Sequence, residues 1–523
     1  MPLWLSILPP LIAIVCALVF REVLASLFLG VLSGACIMAY YAGHGILGAA
    51  GTGLLRTVDT YILGALNDPD HLYIILFTLL IGAMVRIVSI NGGMHSIVAW
   101  LSKRARTPRS AQLATFLLSI FIFFDDYAAT LVVGNTMRPV TDKLRVSREK
   151  LAYLVDSTSA PMVAIAFVTT WIGAELSYIQ DGIDNIGLDT SAYSVFIHSL
   201  PYSFYPLLTL AFVVMLIITR RDFGPMLKAE NAARHSEADS TASQDTANKD
   251  SAHAIDALLP MAVLIAGTVA GLVFTGYDAA RWSKDAPLFA KLSTTVGNAN
   301  SYLALLWSST ASLLTAIAIT LCRRKHRFGK LMQEVVEGFK TMLPAVVILT
   351  MAWSISLVAK EMHTAEFLSQ LLVQWSMPPV LVPAITFVLA FLIGFSTGTS
   401  WGTMAILYPL VLPATWALCD SSGTPAAEAM RLFYIVVSSV LAGAVFGDHC
   451  SPISDTTIMS STASGCDHLA HVRTQMPYAA LVGAVALLAG ILPSSLGISP
   501  VITLVSSLAI LYAVLRLFGK RAQ

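Results

Sequence analysis

Long apolar runs alternate along the chain with shorter polar stretches. A helix needs about 20 apolar residues to cross the hydrocarbon core of a bilayer. Runs of that order predict spanning helices at 3–20, 23–41, 72–92, 196–219, 257–276, 301–321, 342–358, 478–493 and 498–517. The first run reads as a span rather than a signal peptide, because no Lys or Arg precedes it and a second apolar run follows directly after Arg21–Glu22. Three further regions, 111–179, 380–412 and 431–465, are apolar but interrupted by polar residues. The fold class expected is an all-α polytopic membrane protein.

Composition agrees with the pattern. Of 523 residues, 56% are apolar and 12% charged, against roughly 45–50% and 25% in soluble chains; the mean hydropathy is +0.73. A net charge of +1 gives no basic footprint for a nucleic-acid partner. The six cysteines, Cys16, Cys36, Cys322, Cys419, Cys450 and Cys466, show neither a disulfide framework nor a zinc-ligand spacing. The lipid bilayer is the expected partner, and no cofactor is expected.

Lys and Arg set the orientation. They concentrate at 103–109, 138–150, 220–249, 323–340 and 516–521, while the loops read at 42–71, 180–195 and 413–430 are poor in them. The basic set belongs inside, so the C-terminus is expected in the cytoplasm. Both 103–109 and 138–150 then lie inside, yet only 111–137 separates them. That is too short for two full spans at about 1.5 Å per residue. A re-entrant helical hairpin with its tip at Asp125–Asp126–Tyr127 fits, and one long tilted helix is the plainer alternative. Residues 380–412 give the mirror case, with both flanks outside and the tip at Ser396–Thr403.

The two halves also resemble each other. Ala83 pairs with Ala352, Phe124 with Phe395 and Pro139 with Pro409, each roughly 270 residues apart; Asp156 and Ser159 pair with Asp448 and Ser451, roughly 290 apart. Corresponding loops fall on opposite sides. The reading is two inverted-topology repeats, each with a re-entrant hairpin and a broken helix, as in many secondary transporters. The first repeat covers 1–219, with hairpin 111–137 and broken helix 151–179. A cytoplasmic disordered linker covers 220–254, where large apolar residues are scarce. The second repeat covers 255–523, with hairpin 380–412 and broken helix 431–465.

Charges at membrane depth cost roughly 3 kcal/mol each on insertion scales and need a reason. Asp125 and Asp126 occupy one hairpin tip. The run 154–162, with Asp156, Ser157, Thr158, Ser159 and Pro161, combines a carboxylate and hydroxyls with a proline that breaks the helical ladder. Carboxylates, hydroxyls and freed carbonyls are hard oxygen ligands suited to Na⁺. Its counterpart holds Asp448, Ser451, Pro452, Asp455 and Thr456, and the second tip holds Thr397, Thr399 and Ser400. The competing structural readings are an interfacial acidic turn, a Ser/Thr helix cap and small-residue helix packing. Asp448–His449–Cys450 could suggest metal ligands, but neighbours on a helix do not face one another. Arg86 is read as snorkelling, and Glu175 is placed near the outer interface without a role. An enzyme is not expected: His-Glu-x-x-His is absent, and the nearest aspartyl-protease-like string, 445–450, lacks its first glycine.

Residues 123–162, 394–410 and 446–461 resemble the NhaC-type sodium/proton antiporter family, within the wider ion-transporter superfamily. The resemblance implies the repeat architecture above, elevator-like alternating access, exchange of Na⁺ for H⁺, residence in a bacterial inner membrane and a homodimer. The ion- and substrate-binding set expected is Asp125, Asp126, Asp156, Ser157, Ser159, Thr397, Thr399, Ser400, Asp448, Ser451 and Asp455, with Na⁺ at Asp126, Asp156, Ser157 and Asp448. No residue is expected to be catalytic. The alternative cargo on the same fold is a small organic solute, such as a carboxylate, an amino acid or a drug, driven by Na⁺ or H⁺.

Overall fold

The computed structural model describes the chain except residues 21, 94–95, 97–104, 124, 236–252, 279–281, 283–294, 296–298, 324–325, 365–366, 368–376, 453 and 523, and the side chains of 17, 18, 23, 70, 128, 301, 345 and 455. Twenty principal helices follow one another: α1 (Leu8–Phe20), α2 (Val23–Tyr41), α3 (Ile46–Arg56), α4 (Pro69–Ile90), α5 (Pro108–Phe121), α6 (Asp126–Lys143), α7 (Arg148–Ile165), α8 (Ile172–Ile186), α9 (Ala192–Ser199), α10 (Phe204–Thr219), α11 (Gly224–His235), α12 (Ile255–Gly276), α13 (Ser301–Cys322), α14 (Phe328–Glu361), α15 (Val382–Thr397), α16 (Ser400–Ser421), α17 (Ala426–Cys450), α18 (Asp455–Ser464), α19 (His468–Val485) and α20 (Pro500–Phe518). Ten described helical segments are long and apolar enough to cross a membrane, and α9 with α10 forms a further apolar pair bent by 48°. The protein is an integral, multi-pass, all-α membrane protein.

The helices that carry the polar motifs are broken where the sequence places proline or glycine. Pro161 lies one turn from the end of α7 and supplies no amide hydrogen to the ladder. The chain leaves the helix at Ala166, and α8 starts six residues later. Pro452 falls in the four-residue gap between α17 and α18, and Ser454 caps α18 by accepting from the Thr457 amide at 3.3 Å. Gly398, at φ +67°, ends α15 in the left-handed conformation that glycine adopts without a Cβ penalty, and α16 starts two residues on.

α7 lies at the centre. Nearly all of its residues are buried, on every face, as expected of a helix with no surface toward solvent or lipid. It packs against α5, α6, α10, α17, α18 and α19. α15 and α17 form the tightest pair. A Cβ on Gly443 would lie 2.5 Å from the Phe387 carbonyl oxygen, and one on Gly447 would lie 2.5 Å from that of Phe391. Small residues therefore let the two backbones touch, which brings the 397–403 tip beside Asp448.

Two readings need correction. Residues 42–71 are not an open loop: α3 and a short π-helical turn (Thr57–Ile62) occupy much of the stretch, and Thr57, Tyr61 and Ala65 are buried. The 220–254 segment does not begin as a disordered linker. Its first part forms α11, which buries Met226 and Glu230 against α7 and α19; the remainder, 236–252, lies outside the described residues. Glu175, expected near the outer interface without a role, is 1% exposed in the first turn of α8. Arg86 has a partner in place of a simple snorkel: its Nε lies 2.7 Å from Glu334 Oε2 across α4 and α14.

Candidate functional site

The site is built where α7, the α17–α18 break and α19 meet. Asp156 stands two turns into α7 and has no solvent exposure. One of its oxygens, Oδ2, accepts from Gln475 Nε2 at 2.6 Å and from Thr457 Oγ1 at 3.2 Å, and lies 3.3 Å from His471 Nε2. The other, Oδ1, has no hydrogen-bond partner among the described residues. Gln475 also donates to the His449 carbonyl at 3.0 Å, and His471 Nε2 lies 3.0 Å from Ser460 Oγ. His471 and Gln475 are four residues apart on α19, so they project from one face and reach Asp156 together.

Asp448 lies at the end of α17, 1% exposed. Its Oδ2 accepts from Thr456 Oγ1 at 3.0 Å, and its carbonyl accepts from Thr457 Oγ1 at 3.3 Å. Thr457 thus spans both acidic residues. Ser451 Oγ donates to the Phe395 carbonyl at 2.7 Å, which ties the break to the end of α15. His449 Nδ1 lies 3.0 Å from the Tyr205 hydroxyl, and among the described residues no three His, Cys, Asp or Glu side chains gather as a metal site.

The other expected residues fall around this centre. Asp125 and Asp126 are buried at the start of α6, at 3% and 1% exposure. One turn on, Thr130 Oγ1 meets Ser159 Oγ at 3.2 Å across α7. Ser159 Oγ also donates back to the Asp156 carbonyl at 3.3 Å. Ser157 neighbours Tyr153 on its own helix and does not share the hydrogen-bonded group of Asp156. Thr397 Oγ1 bonds the Ile393 carbonyl at 2.8 Å; Thr399 begins α16 without a side-chain cap, and the buried Ser400 hydroxyl has no partner among the described residues. Asp455 opens α18, and its side chain is outside the described residues.

Sequence reasoning missed His471, Gln475 and the pivotal position of Thr457. The signal existed in the spacing of two polar residues, 471 and 475, on a helix that otherwise leads into an apolar run. Only the fold shows that they face an acid more than 300 residues earlier.

Buried polar atoms without partners are costly, roughly 1–3 kcal/mol each, and native proteins hold few of them. This cluster holds several: besides Asp156 Oδ1, the atoms His449 Nε2, His471 Nδ1 and Gln475 Oε1 lack partners among the described residues. Oxygen acceptors left open beside a buried carboxylate can hold a small hard cation or a proton.

Comparison with known proteins places the chain in a family. At 32% identity over 485 residues, 91% of the chain and 88% of the relative, it is similar to an uncharacterized protein of Haemophilus influenzae. A stretch of 42 residues, 8% of the chain and 9% of the relative, is 48% identical to a malate-2H⁺/Na⁺-lactate antiporter of Bacillus subtilis. The fold is similar to that of the Alcanivorax borkumensis YdaH transporter, described as having an unusual topology, with a TM-score of 0.53, 14% identity and coverage of 85% and 90% of the two chains. It is also similar to that of Neisseria gonorrhoeae MtrF, described among antimetabolite efflux pumps, with a TM-score of 0.57, 13% identity and coverage of 90% and 94%. The Na⁺/H⁺ antiporter family profile matches residues 162–492, a stretch holding the second-hairpin and Asp448 motifs though not Asp156, and the chain belongs to that family.

Proposed function

We propose that this protein is a Na⁺/H⁺ antiporter of a bacterial inner membrane, C-terminus inside, in which Na⁺ and H⁺ exclude each other at Asp156. The observation that carries the reading is the fully buried Asp156 carboxylate, held through Oδ2 by an amide, a hydroxyl and an imidazole while Oδ1 lacks a partner among the described residues. A carboxylate out of water favours its protonated form, and a cation beside it favours the ionised one. Binding Na⁺ therefore expels the proton, and rebinding the proton expels Na⁺. Asp448, Thr456, Thr457 and Gln475 supply further oxygens from the second half of the chain, with Asp126, Ser159 and the Thr397–Ser400 tip around them.

Alternation between the two sides follows from two inverted repeats meeting at broken helices. In this reading the α5–α6 and α15–α16 hairpins and the two breaks move as an elevator against the remaining helices, within a homodimer. The breaks after Pro161 and at Pro452 support it, because they put backbone and hydroxyls rather than continuous helix around the carboxylates. Proton movement in proteoliposomes holding a pH gradient, followed with a pH-sensitive dye on adding Na⁺, Li⁺ or K⁺, is the test. Wild type responds and Asp156→Asn does not. Folded wild-type protein that answers none of the cations overturns the reading.

A second reading is favoured by the 42-residue identity to the B. subtilis antiporter: on the same fold an organic carboxylate travels in exchange for, or together with, the ions. It predicts a Na⁺ flux that requires the organic acid.

A further inference from the structure

We propose that Glu175 is a second proton-binding carboxylate of the transport cycle, separate from the Asp156 site, reached from the 187–191 end of the molecule along the stripe formed by Asp181 with His71 and by Tyr178. The proposal rests on the antiport reading and extends it.

Glu175 is 1% exposed, and its Oε1 has no hydrogen-bond partner among the described residues. None of the ion pairs among them involves it. Its place in the first turn of α8 suggests a structural reason, a negative charge against the helix dipole. That effect is modest even in favourable geometry. Removing an ionised carboxylate from water costs more than such a dipole returns. The dipole is too weak to hold the charge, so the group is neutral in this conformation and carries a proton. An acid that serves only packing has no advantage here over an amide or a leucine.

The surroundings favour a proton over any larger ligand. α8 packs on α16, α9, α4 and α14. Tyr408 of α16 faces Glu175 and stacks on Tyr178 with ring centroids 5.7 Å apart. Tyr193 of α9 is committed to the Phe167 carbonyl at 3.2 Å. α4 brings His71, and α14 brings Trp353, stacked on the His71 ring at 3.8 Å.

The residues that follow on α8 make a route. Glu175, Tyr178 and Asp181 recur at three-residue intervals and share a face. The buried Tyr178 hydroxyl has no partner among the described residues, while Tyr408 donates to the Val437 carbonyl at 3.0 Å. Asp181 lies about 9 Å farther along the axis than Glu175. Its Oδ1 is 3.7 Å from His71 Nε2, and the two side chains keep 19% and 12% exposure. Tyr178 makes no hydrogen bond to either carboxylate in this conformation; on the proposed route its hydroxyl turns between them, gaining one O–H bond as it gives up another, and the proton ends on Glu175.

The route is distinct from the Asp156 cluster because the second hairpin stands between them. Trp171, just before α8, meets Trp401 edge to face at 6.0 Å, while Phe395 on the same hairpin accepts from Ser451 beside Asp448.

The experiment measures radioactive Na⁺ flux and dye-reported proton flux in the same proteoliposomes. Glu175→Gln is expected to lower the number of protons moved per Na⁺ while Na⁺ counterflow persists; Glu175→Asp restores the ratio. Infrared spectra of the purified protein at about pH 8, far above the ~4.3 of an exposed glutamate, are expected to show a carboxylic-acid carbonyl band that Glu175→Gln removes. An unchanged ratio, an unchanged band, or loss of Na⁺ counterflow in both variants overturns the assignment and leaves Glu175 structural or idle. If the amide variant does not fold, Tyr178→Phe is expected to slow proton flux more than Na⁺ counterflow, and equal rates overturn the route. Wild-type vesicles without cation-evoked proton flux sink the antiport reading and this proposal with it, whereas wild-type coupling retained in Glu175→Gln sinks this proposal alone.

Discussion

At the first turn of α7, Lys150 Nζ meets Asp222 Oδ1 at 2.5 Å, and the Tyr478 hydroxyl donates to the same oxygen at 2.7 Å. Lys150 is fully buried and Asp222 6% exposed, and the ammonium lies 5.6 Å from the ring centres of Tyr153 and Tyr478. Six residues along the same helix, about 9 Å away, Asp156 is just as buried but meets no lysine or arginine among the described residues. Its partners are an amide, a hydroxyl and an imidazole, and one of its oxygens is left over. The first acid is closed by a fixed charge; the second is left to acquire one. Burial alone does not set Asp156 apart from Asp222, and the proposed antiport reading rests on the missing counter-charge.

Substitutions at the two acids break this comparison most sharply. Asp222→Asn leaves Lys150 as an uncompensated buried charge, a change that typically costs 3–5 kcal/mol. We expect a large fall in melting temperature in detergent and poor yield. Asp156→Asn removes a charge that no fixed cation balances, so its stability without Na⁺ is expected within about 1 kcal/mol of wild type, while transport disappears. The melting temperature of wild type rises with Na⁺ by ligand linkage, and that of Asp156→Asn does not. Equal stability losses at both positions would erase the distinction.

Replacing both members of the closed pair sharpens it. Lys150→Met with Asp222→Leu keeps volume and removes both charges, and such replacements are often neutral or stabilising. The double variant is expected to recover most of the stability lost by Asp222→Asn and to retain Na⁺-dependent proton flux. A double variant with full stability and no transport would place Lys150 and Asp222 in the transport machinery.

Smaller effects belong to the neutral ligands of the open acid. A hydrogen bond to a charged group is worth about 1.5–3 kcal/mol. Gln475→Leu removes the 2.6 Å donor to Asp156, and Thr457→Val removes the hydroxyl that spans Asp156 and Asp448. Each is expected to raise the Na⁺ concentration for half-maximal proton flux by about tenfold, since 1.4 kcal/mol is tenfold in an equilibrium constant. Ser157→Ala is expected to change it far less, because Ser157 neighbours Tyr153 instead.

Legibility in sequence follows the range of the interactions. The breaks are local: Pro161 stands one turn before the end of α7, Pro452 in the α17–α18 gap and Gly398 at the end of α15, although Pro139, Pro344, Pro409 and Pro477 lie inside helices that continue, so proline alone does not mark a break. Asp125, Asp126, Asp156 and Asp448 were legible, since a carboxylate in an apolar run is conspicuous, whereas buried Asp222 and Glu230 were not. Nor were the partners of Asp156. Gln475 and His471 sit on α19, and no pattern within α7 reveals that the two helices touch. Residues 42–71 read as a loop because their apolar runs are short and rich in glycine, yet α2 and α14 cover them and hold them helical. α11 failed for the opposite reason: it is polar almost throughout, and only Met226 and Glu230 bury.

That helix gives the mildest test, on a third buried acid. Glu230 accepts from the Ser147 amide at 2.8 Å and from the Ser147 hydroxyl at 2.7 Å, and Ser147 is the N-cap of α7. Burial and the nearby Asp222 push its carboxyl above the usual glutamate range, against the opposing pull of Lys150 and the two Ser147 bonds. A docked group that holds its proton more tightly than the undocked one favours docking at low pH. The contribution is full below the ordinary glutamate value of about 4.3, declines as pH rises, and is gone above the raised value. Hydrogen exchange of the 224–235 amides is therefore expected to quicken as pH rises through this window, beyond the intrinsic exchange trend. Glu230→Gln keeps a carbonyl oxygen for Ser147 and carries no charge. It is expected to flatten that dependence and to change stability by less than about 1 kcal/mol. The same slope in wild type and variant would mean that α11 docks through Met226 and Arg234, which donates to the Ala522 carbonyl at 2.5 Å, and that this carboxylate is a bystander beside the closed Lys150–Asp222 pair.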